Sequence, residues 1–104
     1  MLSKNKEKFI LSLRGKKVRE ELGLFVVEGD KMVREFLAGG MKLIYLIAKT
    51  EFISGLNKEQ IASIDNIITT SFDELRRISS LKTPHNAVAV VGIPEMKYEP
   101  EKIL

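Results

Sequence analysis

Residues 43–48, LIYLIA, and residues 87–93, AVAVVGI, are almost wholly apolar. Runs of this length without polar alternation are typical of strands that are covered on both faces of a sheet. Two shorter runs, residues 24–27 (LFVV) and residues 67–70 (IITT), predict two further strands. The sequence therefore predicts a sheet of four strands.

Helical patterns precede and separate these strands. Ser3 is a predicted cap for a first helix, in which Phe9, Ile10 and Leu13 share one face. Residues 16–22 predict either a second short helix or an ordered loop, which Gly23 ends.

A longer helix is predicted after the first strand. Asp30 is its predicted N-cap, and Gly39-Gly40 is its predicted end. Its apolar stripe comprises Met32, Val33, Phe36 and Leu37.

Two helical regions follow in the second half of the chain. Residues 50–64 are a weaker helical region, broken at Gly55. Ser71 and Glu74 form the S-x-x-E pattern of a capping box, and the helix they open has Leu75, Ile78 and Leu81 on its inner face. Helices alternating with apolar strands predict an α/β fold, a largely parallel or mixed sheet with helices on both faces.

Length and composition exclude several classes of protein. A chain of 104 residues is one ordinary domain and is short for most complete enzymes. It is too apolar (44%) for a disordered tail and has no apolar run of about 18 residues that could span a membrane. Without cysteine it can form no disulfide or thiolate metal site, which fits a cytoplasmic location.

The positive charge is concentrated at the N-terminus. Residues 1–20 contain seven basic and two acidic groups, whereas the other 84 residues contain ten basic and twelve acidic ones. A basic segment on a near-neutral body favours a polyanionic partner, most often nucleic acid. The alternative is a solvated helix surface without a partner.

Residues for catalysis are not recognisable. A single histidine excludes a zinc site of the HExxH type, and no phosphate-binding glycine motif follows a strand. Gly29 lies between the first strand and the next helix, but Glu28 and Asp30 flank it and would repel a phosphate. We therefore expect a tight turn there, and we predict neither catalytic nor metal-binding residues.

The string SLRGKKVREELGLFVVEGDKMVREFL, residues 12–37, resembles the N-terminal substrate-binding domain of the SpoU (TrmH-type) RNA 2′-O-ribose methyltransferases. The matching features are R-x-K-K-x-R from Arg14, G-x-F-x-V-E-G from Gly23, and a Lys82-Thr83-Pro84 turn before the last strand. The resemblance covers residues 3–94. At the turn the family commonly has Thr-Pro-Gln-Gly, whereas this chain has His85-Asn86 after the proline; asparagine tolerates a left-handed backbone, so the turn can be kept.

The resemblance implies an α/β/α sandwich with a four-stranded mixed sheet, like the small RNA-binding ribosomal proteins. Residues 1–94 would be the RNA substrate-binding domain, and residues 95–104 the start of a linker. The linker would lead to a C-terminal domain that binds S-adenosylmethionine, forms the homodimer and transfers the methyl group. The chain alone would bind no cofactor and methylate nothing; its partner would be structured RNA, rRNA or tRNA.

The predicted RNA-binding residues are basic or lie at the family's turn; they are Arg14, Lys16, Lys17, Arg19, Lys82 and Thr83. Arginine can bind a phosphate with two parallel hydrogen bonds, and lysine acts as a point charge. Alternatively, the arginines pair with Glu20, Glu21 or Glu28 and fix the first helix to the sheet.

The aromatic residues predict no stacking platform, since Phe9, Phe25, Phe36 and Tyr45 have core positions. We therefore expect RNA to be recognised by shape and charge. Two other functions remain open: a stand-alone RNA-binding protein of the ribosomal type, and a protein–protein interaction module.

Overall fold

A computed structural model describes residues 2–81 and 85–93 of the protein. The helices are α1 (Lys4–Ser12), α2 (Lys16–Leu22), α3 (Asp30–Ala38), α4 (Thr50–Ser54), α5 (Lys58–Ala62) and α6 (Phe72–Ile78). The strands are β1 (Leu24–Glu28), β2 (Leu43–Ala48), β3 (Ile64–Thr69) and β4 (Ala87–Gly92). In this part of the chain, no helix is long and apolar enough to cross a membrane.

The four strands form one mixed sheet in the order β1-β4-β2-β3. Strand β4 is antiparallel to both of its neighbours, and β2 and β3 are parallel. The two central strands are the two runs with the most continuous apolar sequence, because side chains on both of their faces are covered. The predicted α/β fold with a mixed sheet is confirmed.

Helices cover both faces of the sheet. On one face, Ile10, Leu13, Leu75 and Ile78 from α1, the turn after it and α6 pack in one cluster with side chains of β2 and β4, and Val18 of α2 packs against it. On the other face, α3 and α4 pack against the alternate side chains of the same strands through a cluster that includes Val33, Leu37 and Phe52. The result is an α/β/α sandwich, as expected.

Several predicted helix boundaries are confirmed. The Ser3 hydroxyl accepts a hydrogen bond from the Lys6 amide, and Ser71 and Glu74 form the reciprocal capping box. Residues 16–22 form a helix, and Gly23 ends it in the left-handed conformation. The weak region after β2 is two one-turn helices separated near Gly55.

Other local predictions are wrong. Gly29, not Asp30, is the N-cap of α3, and the Asp30 side chain is engaged elsewhere. Met32 is 45% exposed, although its neighbour Val33 is fully buried. Leu81 is 42% exposed because α6 ends at Ile78, three residues before it. Strand β3 begins three residues earlier than predicted, at Ile64, and ends at Thr69.

The four aromatic residues predicted in the core are only partly buried. Phe25 and Phe36 make an edge contact at the margin of one cluster, with ring centroids 5.8 Å apart. Phe9 and Tyr45 make the equivalent contact on the opposite face, at 6.0 Å. They complete the edges of the core rather than its centre.

The Glu74 carboxylate connects the start of the chain to α6. One oxygen accepts hydrogen bonds from the Ser71 amide and the Thr70 hydroxyl, at 2.9 and 2.8 Å, and the other accepts from the Leu2 amide at 3.1 Å. The Ser71 amide contributes most, followed by Thr70, and together these donors lower the pKa of Glu74 to about 2.

We predict a dependence of stability on pH that belongs to Glu74. Because folding lowers its pKa from 4.5 to about 2, its contribution is present above pH 4.5 and is lost as the pH falls towards 2. When the pH is lowered from 6 to 2, the melting temperature of Glu74→Gln should fall less than that of the wild type. The matched control is Asp73→Asn, whose carboxylate makes one exposed contact with Arg76, at 3.7 Å. The prediction would be contradicted if the melting temperatures of the wild type and Glu74→Gln fell equally over this pH range.

Candidate nucleic-acid interface

The uneven charge of the sequence lies on one face of the sandwich. Helices α1, α2 and α6 contain eight basic and five acidic residues, and Arg14 adds a ninth positive charge between α1 and α2. Helices α3, α4 and α5, on the opposite face, contain three basic and four acidic residues. We call the surface of α1, α2, α6 and their connecting turns the basic face.

Arg14 and Arg19 are held by main-chain carbonyls at helix ends. Arg14 Nη2 donates to the carbonyl of Ile78, the last residue of α6, at 3.0 Å. Arg19 Nη1 donates to the carbonyls of Leu13 and Arg14, just after α1, at 3.1 and 2.6 Å. Carbonyls at a helix C-terminus have no partner within the helix and carry partial negative charge, so a guanidinium stabilises them.

The predicted alternative, in which the arginines form ion pairs with nearby carboxylates, is not what the geometry shows. Among the described residues, no carboxylate oxygen lies within ion-pairing distance of either guanidinium. The arginines do fix the helices, but through carbonyls. A guanidinium has five N–H groups, so each arginine keeps donors that no described residue uses.

Lys16 and Lys17 lie in the first turn of α2 and are exposed. Neither contacts a partner within the part of the chain that the structure describes. Positive charges at a helix N-terminus oppose the helix dipole, so these lysines do not stabilise α2. Lys16 and Arg19 share a face of that helix, as their spacing predicts.

Lys82 and Thr83 lie outside the described residues, but the residues on both sides of them are firmly bound. The Glu28 carboxylate accepts hydrogen bonds from the Ser79 hydroxyl at 2.6 Å and from the Ser80 amide and hydroxyl at 3.0 and 2.7 Å. The Asp30 carboxylate accepts from the amide and the side chain of Asn86, both at 2.8 Å. We call residues 28–30 the acidic turn.

The sequence did not reveal these contacts of the acidic turn. Each partner lies more than fifty residues away along the chain, so no local pattern could reveal it. Asn86 does not adopt the left-handed backbone that asparagine tolerates. Its amide group binds Asp30 instead, which explains the asparagine at this position.

Both carboxylates of the acidic turn are stabilised in their ionised form. Burial tends to raise the pKa of Glu28, but hydrogen bonds from Ser79 and Ser80, with the nearby Arg14 charge, outweigh it and lower the pKa. Burial likewise opposes the ionisation of Asp30, and the two hydrogen bonds from Asn86 again lower its pKa. Among the described residues, no three histidine or acidic side chains cluster as a metal site requires.

Gly29 allows the two carboxylates to point towards different partners. Its φ of +105° is a conformation that residues with a side chain rarely adopt. A Cβ atom at this position would lie 2.8 Å from His85 Nδ1. The tight turn expected at Gly29 is therefore observed, and it also allows the close approach of His85.

We predict that Gly29→Ala destabilises the protein by about 1–3 kcal/mol, because it adds backbone strain and a clash with His85. Urea unfolding would measure the change, and Gly15→Ala is the matched control because its Cβ would make only an ordinary contact at 3.5 Å. Adding His85→Ala to Gly29→Ala should remove the clash and restore the stability that the clash cost, whereas the backbone strain should remain. If Gly29→Ala is as stable as Gly15→Ala, the turn does not depend on glycine.

Comparisons with known proteins show the family to which the chain belongs. Residues 4–89 match the family model of the MRM3-like substrate binding domain. No curated protein matches the chain significantly.

Three solved structures share the fold. A protein from Porphyromonas gingivalis, described as an RNA methyltransferase of the TrmH family, is 33% identical over 90% of this chain, with a TM-score of 0.78. An rRNA methyltransferase from Sinorhizobium meliloti is 23% identical over 88%, with a TM-score of 0.75. The SpoU methyltransferase AviRb from Streptomyces viridochromogenes, solved with AdoMet, is 19% identical over 88%, with a TM-score of 0.62.

The chain spans just over a third of each of these structures, 36%, 35% and 36% of their lengths. The last two likenesses show the fold alone, whereas the family model covers most of the chain. The sequence, the mixed sheet between two helical layers and the family match agree: the chain belongs to the MRM3-like substrate-binding domain family of the SpoU/TrmH-type RNA methyltransferases.

Proposed function

We propose that the basic face binds the RNA substrate of a TrmH-type 2′-O-ribose methyltransferase. The observation that carries the proposal is the pair of exposed lysines, Lys16 and Lys17, beside two arginines that the fold holds in place. Lysines that oppose the dipole of their own helix are best explained by an external anion. RNA, with closely spaced phosphates, is such a partner.

The two residue types would act differently on RNA. Arg14 and Arg19 have lost freedom to their carbonyl contacts, so binding a phosphate would cost them less side-chain entropy. Lys16 and Lys17 would add attraction that does not depend on sequence, and Lys82 and Thr83 would contact RNA from between the bound ends of their segment. Contacts of this kind position RNA more than they specify its sequence.

The remaining part of the proposal concerns the protein to which the chain would contribute. The chain spans just over a third of its solved relatives, one of which was solved with AdoMet. We propose that residues 1–94 present rRNA or tRNA, and that a separate domain after a linker from residue 95 binds S-adenosylmethionine, forms the homodimer and transfers the methyl group. Holding the target ribose near the methyl donor would accelerate transfer by positioning. We propose a cytoplasmic location.

The double substitution Lys16→Gln and Lys17→Gln tests the RNA contact. We expect weaker binding to rRNA and tRNA transcripts, with the slope of log affinity against log salt reduced by roughly 1–2, because up to two phosphate contacts are lost. The melting temperature should stay the same or rise slightly. The control is Lys31→Gln with Lys58→Gln on the opposite face. RNA affinity that is insensitive to salt, or equal losses in both double variants, would contradict the proposal.

Arg14→Gln and Arg19→Gln separate the structural role of the arginines from their role in binding. Each should lower the free energy of unfolding by about 1–2 kcal/mol, because charged donors to helix-end carbonyls are removed. Each should also weaken RNA binding when measured well below its melting temperature. Unchanged unfolding in urea would show that the carbonyl contacts do not stabilise the fold.

A further inference from the structure

A cleft of about 270 Å³ lies between the outer edge of β1 and the basic face. Its apolar lining consists of the half-buried Phe25 and Val26 and the buried Ile10, Leu13 and Ile78. Its polar lining consists of Arg14, Arg19, Glu28 and Ser80. The volume is slightly below the range of sites for drug-sized ligands, which suits a small planar group.

Strand β1 presents main-chain hydrogen-bonding groups to this cleft. It is an edge strand, and its contacts to β4 include Ile93 N–H to the Gly23 carbonyl at 2.7 Å and Gly29 N–H to the Ala87 carbonyl at 3.0 Å. In an antiparallel pair, alternate residues point their N–H and C=O groups to the partner strand and away from it. Since residues 23 and 29 point towards β4, Val26 points its N–H and C=O outwards.

The outward groups of Val26 have no hydrogen-bond partner among residues 2–81 and 85–93. They offer one donor and one acceptor side by side, within a cleft that Val26 lines. Every nucleobase has an adjacent donor and acceptor on its pairing edge. A carboxylate, which only accepts, or an ammonium group, which only donates, would use only one of the two groups.

We propose that the cleft receives one unpaired base of the bound RNA, with the base edge on the main chain of Val26 and its ribose phosphate on Arg14. The apolar lining replaces the stacking that the base loses when it leaves its helix, and the guanidinium plane of Arg19 covers its exposed face. Glu28 keeps its negative charge beside the cleft, but the guanidinium groups of Arg14 and Arg19 also line it and outnumber that charge. The inference rests on the proposed function and adds to it a preference for an unpaired nucleotide.

The test is NMR titration of the ¹⁵N-labelled 104-residue chain with three probes. The probes are single-stranded octaribonucleotides, an RNA duplex of equal length, and the four nucleoside monophosphates. We expect the single strands to shift the Val26 amide signal and the duplex to shift mainly the signals of α1 and α2. This measurement needs no variant and so does not depend on a substitution being tolerated.

Ser80→Leu fills the cleft. It removes the Ser80 hydroxyl bond to Glu28 but leaves the Ser80 amide and the Ser79 hydroxyl bound to that carboxylate. We expect a loss of roughly tenfold in affinity for the single strands, the contribution of about one base, and no change for the duplex. The control is Ser63→Leu on the opposite face, where the exposed hydroxyl bonds only to the Gln60 carbonyl.

The outcomes separate the two proposals. One outcome is that RNA shifts only the NMR signals of α1 and α2, leaves the Val26 amide signal unchanged and binds Ser80→Leu as tightly as the wild type. That result overturns the base-binding inference and leaves the proposed function standing. If a monophosphate binds as tightly as an octaribonucleotide, the site is for a free nucleotide and the inference is overturned. If no RNA binds at all, both are overturned.

Discussion

The site depends on the hydrogen bonds that the two carboxylates of the acidic turn, Glu28 and Asp30, accept. Two carboxylates from one turn bind the chain on both sides of residues 82–84, with five hydrogen bonds between 2.6 and 3.0 Å. This joins the end of β1, the end of α6 and the start of β4. Both carboxylates keep their negative charge in these contacts, and the four basic residues Arg14, Lys16, Lys17 and Arg19 outnumber them.

The buried sheet could be predicted from the sequence, but the site geometry could not. Strand β2 has the predicted bounds because both of its faces are covered, which leaves a continuous apolar run. Strand β3 was predicted too short because it is an edge strand, and Asp65 and Asn66 near its start are exposed. Apolar periodicity is lost where both faces of a strand are largely exposed, as over residues 65–67.

The contacts of the arginines show a second limit of the sequence. A cluster of basic residues predicts a charged surface, and that surface exists. Which cation caps a helix and which remains available depends on where α1 and α6 end relative to one another, since Arg14 and Ile78 are 64 residues apart. Local sequence therefore gives the composition of the site, whereas tertiary packing assigns the role of each residue.

In the proposed function, affinity and position would come from different groups on the basic face. Exposed lysines attract phosphates from any direction, and salt screens that attraction, so they cannot fix one nucleotide. Main-chain groups at the edge of β1 are fixed by the sheet, because β1 pairs with β4 along its whole length. In the proposed function, a domain that delivers one ribose to a methyl donor would need both kinds of group. The cleft at the edge of β1, bordered by arginines that the helix ends hold, would then be where a long-range attraction becomes a defined position.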